Sequence, residues 1–78
     1  MIRAYVLIET TADKAGAVRD TAGHNLMNCK AIAETLWPSE VVVHLEATDA
    51  ESLQEAIVRR LPQLDGVRRV TTWAVFQK

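Results

Sequence analysis

The sequence predicts an α+β fold in which a four-stranded antiparallel sheet carries two helices on one face. Three observations lead there. Stretches rich in β-branched and aromatic residues fall at 2–9, 41–46 and 67–76, an irregular apolar and polar mixture at 29–36 reads as a further strand, and two stretches between the strands repeat apolar residues every three or four positions. The connections are short, and short connections with right-handed crossovers favour the split β-α-β arrangement over other orderings of β-α-β-β-α-β.

Ile2 to Glu9 alternates, with Ile2, Ala4, Val6 and Ile8 on one face and Arg3, Tyr5, Leu7 and Glu9 on the other, as a strand requires. Thr10 to Asp13 supplies oxygen side chains suited to an N-cap, and Ala15, Val18, Ala22 and Leu26 then recur at helical spacing. Gly23, Asn25 and Asn28 place the end of that helix near residue 25. Cys29 to Leu36 reads as the second strand, and Trp37-Pro38-Ser39-Glu40 as a turn, because Pro favours the second turn position and cannot donate to a ladder.

Val41 to Glu46 is short and β-branched, hence the third strand. Thr48-Asp49-Ala50-Glu51 matches a capping box, with Thr48 at the cap and Glu51 reaching back. Leu53, Ala56, Ile57 and Leu61 form the stripe of the second helix, which Pro62 and Gly66 close before the last strand, Val67 to Phe76.

In the ferredoxin-like topology strands one and three are central, which suits the continuously apolar runs Ala4 to Ile8 and Val41 to Leu45. The more polar strands two and four, with Lys30 and Glu34, and Arg68, Arg69, Thr71 and Thr72, suit the edges. Both helices cover one face. The other presents Tyr5, Leu7, Val42 and His44, with Trp73 and Val75, which is too apolar to leave in water, so these residues are expected at a dimer interface formed by two sheets packed face to face. A second phase for strand four, with Trp73 under the helices, stays open.

Size points the same way. A chain of 78 residues buries only about 60% of the surface its unfolded form exposes, so its own core is marginal and a partner is expected. Nine Lys and Arg against ten Asp and Glu leave a net charge of −1, without the basic excess that gathers nucleic acid or anionic lipid. The single Cys29 forms no intrachain disulfide. No apolar run approaches the roughly 20 residues of a membrane span, and Ala4 to Ile8 is shorter than the about 7–15 residues of a signal-peptide core. The expected setting is one soluble domain in the reducing cytoplasm.

Chemistry is sparse. GxSxG, HExxH, CxxC, P-loop and GxGxxG patterns are missing, so no catalytic residue and no cofactor is assigned. His24 falls near the end of the first helix, where an imidazolium complements the dipole. His44 alternates with Val43 and Leu45 and so points to the open sheet face. Cys29 reads as a small apolar residue with no activating base. Glu9, Glu34, Glu40 and Glu46 find no His or Cys partner at metal-ligand spacing, and no metal is expected. Arg59, Arg60, Arg68 and Arg69 flank one loop as a solvated rim. Trp37 beside Pro38 is the exception to a solvated turn, since an indole at a hairpin tip commonly anchors a contact.

The sequence resembles the ligand-binding domain of the Lrp/AsnC transcription regulators in a stand-alone form. Ile2 to Glu9 is similar to that family's first strand, Leu26 to Ile32 to its segment entering strand two, and Leu64-Asp65-Gly66-Val67 with Thr72 to its closing Gly-Val and threonine-bearing strand. The resemblance implies dimers that assemble further, often to rings, and that bind an amino acid or related molecule at contacts between dimers. It also implies that the domain modulates transcription by joining a full-length regulator, since no helix-turn-helix is present to bind operator DNA directly. The family's effector loop, commonly Thr-Gly-x-Tyr-Asp, matches Leu36, Trp37, Pro38, Ser39 and Glu40, and with Thr72 these are the expected ligand-binding residues. Glu40 keeps the acidic character. Trp37 replaces the glycine and fills space a bound amino acid needs, and Ser39 lacks the aromatic ring. A small dimeric α+β-barrel enzyme of the monooxygenase or isomerase type and a purely structural oligomerisation module share the same element order.

Overall fold

The computed structural model describes residues 1–23 and 29–77. Its elements are β1 (Ile2–Thr10), α1 (Ala15–Ala22), β2 (Cys29–Trp37), β3 (Glu40–Ala47), α2 (Ala50–Glu55) and β4 (Val67–Gln77). The strands form one antiparallel sheet in the order β2-β3-β1-β4, so the two most apolar strands are central and the two polar ones are edges. This is the ferredoxin-like arrangement the sequence predicts.

The helix-covered face is the core. Ala4, Val6 and Ile8 of β1 and Val41, Val43 and Leu45 of β3 are completely buried there, against Val18 of α1 and Leu53 of α2. Burying each large aliphatic side chain is worth about 1.5–3 kcal/mol. Small residues at the contacts, Ala15 and Ala22 on α1 and Ala56 beyond α2, let the helices approach closely.

The helix ends depart from the sequence reading. Thr10 to Asp13 does not cap α1; Thr10 is buried, its hydroxyl donates to the Thr11 carbonyl (2.9 Å), and α1 starts after a turn closed by the Lys14 amide on the Thr11 carbonyl (3.0 Å). α1 ends at Ala22, where the Gly23 amide donates to the Arg19 carbonyl (3.1 Å). That is earlier than residue 25, and the expectations for His24, Asn25, Leu26 and Asn28 lie outside the described residues. At α2 the cap is Asp49, whose Oδ1 accepts from the Ser52 amide (2.7 Å), not Thr48, whose hydroxyl instead meets Asp49 Oδ2 (3.4 Å). An aspartate one residue along offers the shorter and charged acceptor.

Beyond Glu55 the helix widens into a π turn over Ala56–Arg60 and tightens into a 3₁₀ turn over Leu61–Gln63. Pro62 explains this, because it has no N–H for the carbonyl four residues earlier and its ring clashes there. The Leu61 amide therefore reaches back to the Ala56 carbonyl. Gly66 then turns the chain at φ 92°, where a Cβ would stand 2.5 Å from the Lys14 Cβ. Only glycine fits that position.

β4 carries two irregularities against β1, one between the partners of Tyr5 and Val6 and one between those of Glu9 and Thr10. The first is a bulge at Trp73: Thr72 pairs with Val6, Ala74 with Tyr5 and Val75 with Ala4. One extra residue reverses the alternation beyond it. Val75 is therefore on the helix side, which corrects its expected place on the open face, and Phe76, opposite Arg3, takes that place.

Candidate functional site

The open sheet face has a layered composition set by register. Lys30, Glu46 and Arg3 stand abreast across β2, β3 and β1, followed by Ile32, His44 and Tyr5, then Glu34, Val42 and Leu7, and finally Glu40 and Glu9 with Arg69 of β4. An apolar and aromatic strip thus lies between two charged rows. Apolar centre and polar rim are the anatomy of protein interfaces.

Within the strip the Tyr5 ring stacks on His44 (centroids 4.6 Å apart) and on Phe76 (5.8 Å). Tyr5, Ile32 and Trp73 are exposed, Ile32 by 66% and Trp73 by 55%, while Leu7, Val42 and His44 are half-buried. All the residues expected at a dimer contact except Val75 therefore lie together or, for Trp73, on the adjoining bulge. Trp73 is too exposed to sit under the helices. The sequence reading missed Ile32 and Phe76. The alternation of Ile32 with Ala31 and Ala33 signals its face; Phe76 is hidden by the bulge.

The polar groups have defined surroundings. His44 Nε2 is buried and accepts or donates no hydrogen bond among the described residues. Arg3 Nε lies 2.9 Å from Glu46 Oε2, yet its N–H is not aimed at the oxygen, so the contact is an ion pair without a hydrogen bond. Both partners are partly exposed, which keeps such a pair at about 0–1 kcal/mol. Glu9 and Glu40 are direct cross-strand neighbours, a repulsive pairing that Arg69, 3.9 Å from Glu9, relieves.

The turn at the end of the sheet is Pro38-Ser39 between Trp37 and Glu40, as the sequence predicts. Its tip is tied down: the Thr10 amide donates to the Ser39 carbonyl (2.8 Å). Leu36 and Pro38 are exposed and Ser39 and Glu40 half-buried; the side chain of Trp37 lies outside the described features. Thr72 is not beside this turn within one chain. It is level with Val6, whereas the turn follows the Glu9–Glu40 pair, and it lines a cleft between α2 and β4 on the helix side.

Cys29 is half-buried, its Sγ 3.5 Å from the Ser52 carbonyl, and burial first, then the carboxylates of Asp49 and Glu55, push its pKa up. A protonated thiol is a poor nucleophile. Of the four arginines near the β4 loop, Arg60 lies 3.8 Å from Glu55 and Arg69 pairs with Glu9, all in exposed positions. Among the described residues no three acidic, His or Cys side chains gather to hold a metal ion, and no helix is long and apolar enough to cross a membrane.

The sequence matches no protein-family model and no curated protein. The fold is similar to that of TTHA0845 from Thermus thermophilus, known from a crystal structure, with a TM-score of 0.74 and 22% identity over 100% of this chain and 95% of that one. At that identity the likeness bears on the fold alone.

Proposed function

We propose that the protein is a sensing and assembly domain of the kind its sequence resembles, a stand-alone relative of the Lrp/AsnC ligand-binding domain that associates through its open sheet face in the cytoplasm. The observation that carries this is the apolar strip of Ile32, His44, Tyr5, Val42 and Leu7 between charged rows. Two copies packed on it bury the strip and leave the rows at the rim. The turn from Leu36 to Glu40 projects from the end of the sheet, where it meets a neighbouring dimer, and Trp37 there strengthens assembly at the expense of effector space. Glu40 is the acceptor for the ammonium group of an amino-acid ligand. Regulation of transcription then runs through joint assembly with a full-length regulator, without direct operator contact.

No reaction is assigned. A barrel-type enzyme would work in the cleft between helix and sheet, and that cleft is lined by no ionisable side chain among the described residues. Light scattering combined with calorimetry across the amino acids tests the proposal. The expected result is a dimer or larger species, with any amino-acid response confined to it; a monomer at micromolar concentration overturns the proposal.

A further inference from the structure

The helices do not cover the sheet evenly. α1 packs on β2 and β3, and α2 on β3 and β1, so the helix side of β4 is covered only near its start, by the 3₁₀ turn. The rest of β4 forms the floor of a cleft whose wall is α2. Its volume is about 500 Å³, within the range of small-molecule sites. Beyond Ile57 and Val58 the trough continues past Pro62, Val67 and Val70, where Arg68 and Arg69 also line it, for about another 340 Å³.

Leu53, Ile57 and Val58 of the helix face Ile2 and Val75 of the sheet across this cleft. Its apolar walls are left in solvent: Val58 is 61% and Val75 57% exposed. Three polar side chains line it, Gln54, Thr72 and Gln77, and none of them has a hydrogen-bond partner among the described residues. The bulge at Trp73 is what turns both Thr72 and Val75 toward the helix with two residues between them.

We propose that this cleft binds an uncharged, largely apolar small molecule that carries at least one hydrogen-bonding group. The apolar walls supply the area. The hydroxyl of Thr72 and the amides of Gln54 and Gln77 supply donors and acceptors that the fold itself leaves unused. In the part lined by Gln54, Thr72 and Gln77 no ionisable side chain stands among the described residues, so a cation or a zwitterionic amino acid would lose its hydration there without meeting a counter-charge. The site is thus distinct from the Glu40 turn and independent of whether that turn senses amino acids. A small molecule is favoured over a second chain because unused hydrogen-bonding groups are spread along the cleft, in contrast to the charged rows that frame the opposite face.

N-phenyl-1-naphthylamine, an uncharged aromatic amine whose fluorescence rises in apolar surroundings, tests this on the full chain. Saturable binding at one dye per chain is expected. Val58→Trp and Val75→Trp each fill the cleft from an exposed position and should weaken the dye by about tenfold or more, near 1.4 kcal/mol. Ala17→Ser, exposed on α1 away from the cleft, should leave it unchanged, and excess amino acids should not displace it. Circular dichroism identifies any variant that fails to fold, and the other then decides. Non-saturable binding, an affinity unaltered by the folded tryptophan variant, loss of binding in Ala17→Ser, or displacement by amino acids overturns the proposal. So does an affinity that falls as protein association rises, which assigns the cleft to a second copy.

Discussion

Val42 and Val43 are neighbours on one central strand, and they live in different worlds. Val43 is completely buried between Val6 and the helices; Val42, half-buried, belongs to a strip flanked by Glu34 and Leu7. The helix face of β1 and β3 is closed by the chain itself with uncharged side chains. Its opposite is graded from charge through aromatic rings back to charge. One face of the sheet is closed by the chain's own helices, and the other is left open.

The largest expected effect breaks or keeps that distinction directly. Val43→Asp places a carboxylate in a closed apolar core, a cost of several kcal/mol or more, comparable with the roughly 5–15 kcal/mol stability of a domain. Loss of cooperative thermal unfolding is expected. Val42→Asp, on the other face, should instead release folded chains of 8.7 kDa in light scattering. If the two variants behave alike, the faces are not functionally different.

A smaller effect sharpens the role of the turn. Trp37→Gly should weaken the higher oligomer by up to about 2 kcal/mol, read by sedimentation, while calorimetry reads any amino acid admitted at Glu40. An intact assembly removes Trp37 from the contact.

The smallest effect belongs to the helix layer alone. Its hydrogen bonds with Ser52 hold the Asp49 carboxyl below its ordinary pKa. A depressed carboxyl pKa adds stability that is present above the unfolded value and is lost as pH falls through the folded value. Asp49→Asn keeps an acceptor for Ser52 but cannot titrate. Its stability should fall less than wild type as pH drops below about 4, the ordinary Asp value, with oligomeric mass at neutral pH unchanged. Equal acid slopes in urea titrations contradict the cap's contribution.

Most of the sheet was legible because its period is two and β1 and β3 keep it without interruption. The alternation of Ala4, Val6 and Ile8 with Tyr5 and Leu7 names both faces, and Pro38 marks the hairpin tip. The turn and the open-face residues followed from those two signals. What was not legible came from single-residue offsets. The bulge at Trp73 has no composition of its own, yet it moves Val75 to the helices and Phe76 onto Tyr5. Thr48 and Asp49 both fit a cap, and only the observed geometry chooses. The cleft at β4 depends on where two helices rest across four strands, a lateral position that no periodicity along the chain encodes.

The end of β1 works as a clasp. The amides of Thr10 and Thr11, adjacent in sequence, donate to carbonyls in two separate loops, Ser39 of the hairpin and Gly66 before β4. In hydrogen-exchange terms this makes them a paired clock. Deuterium entering at Thr10 times the opening of the hairpin, deuterium entering at Thr11 times the release of the β4 loop, and equal rates at both mean that the two loops flanking the end of β1 let go as one unit.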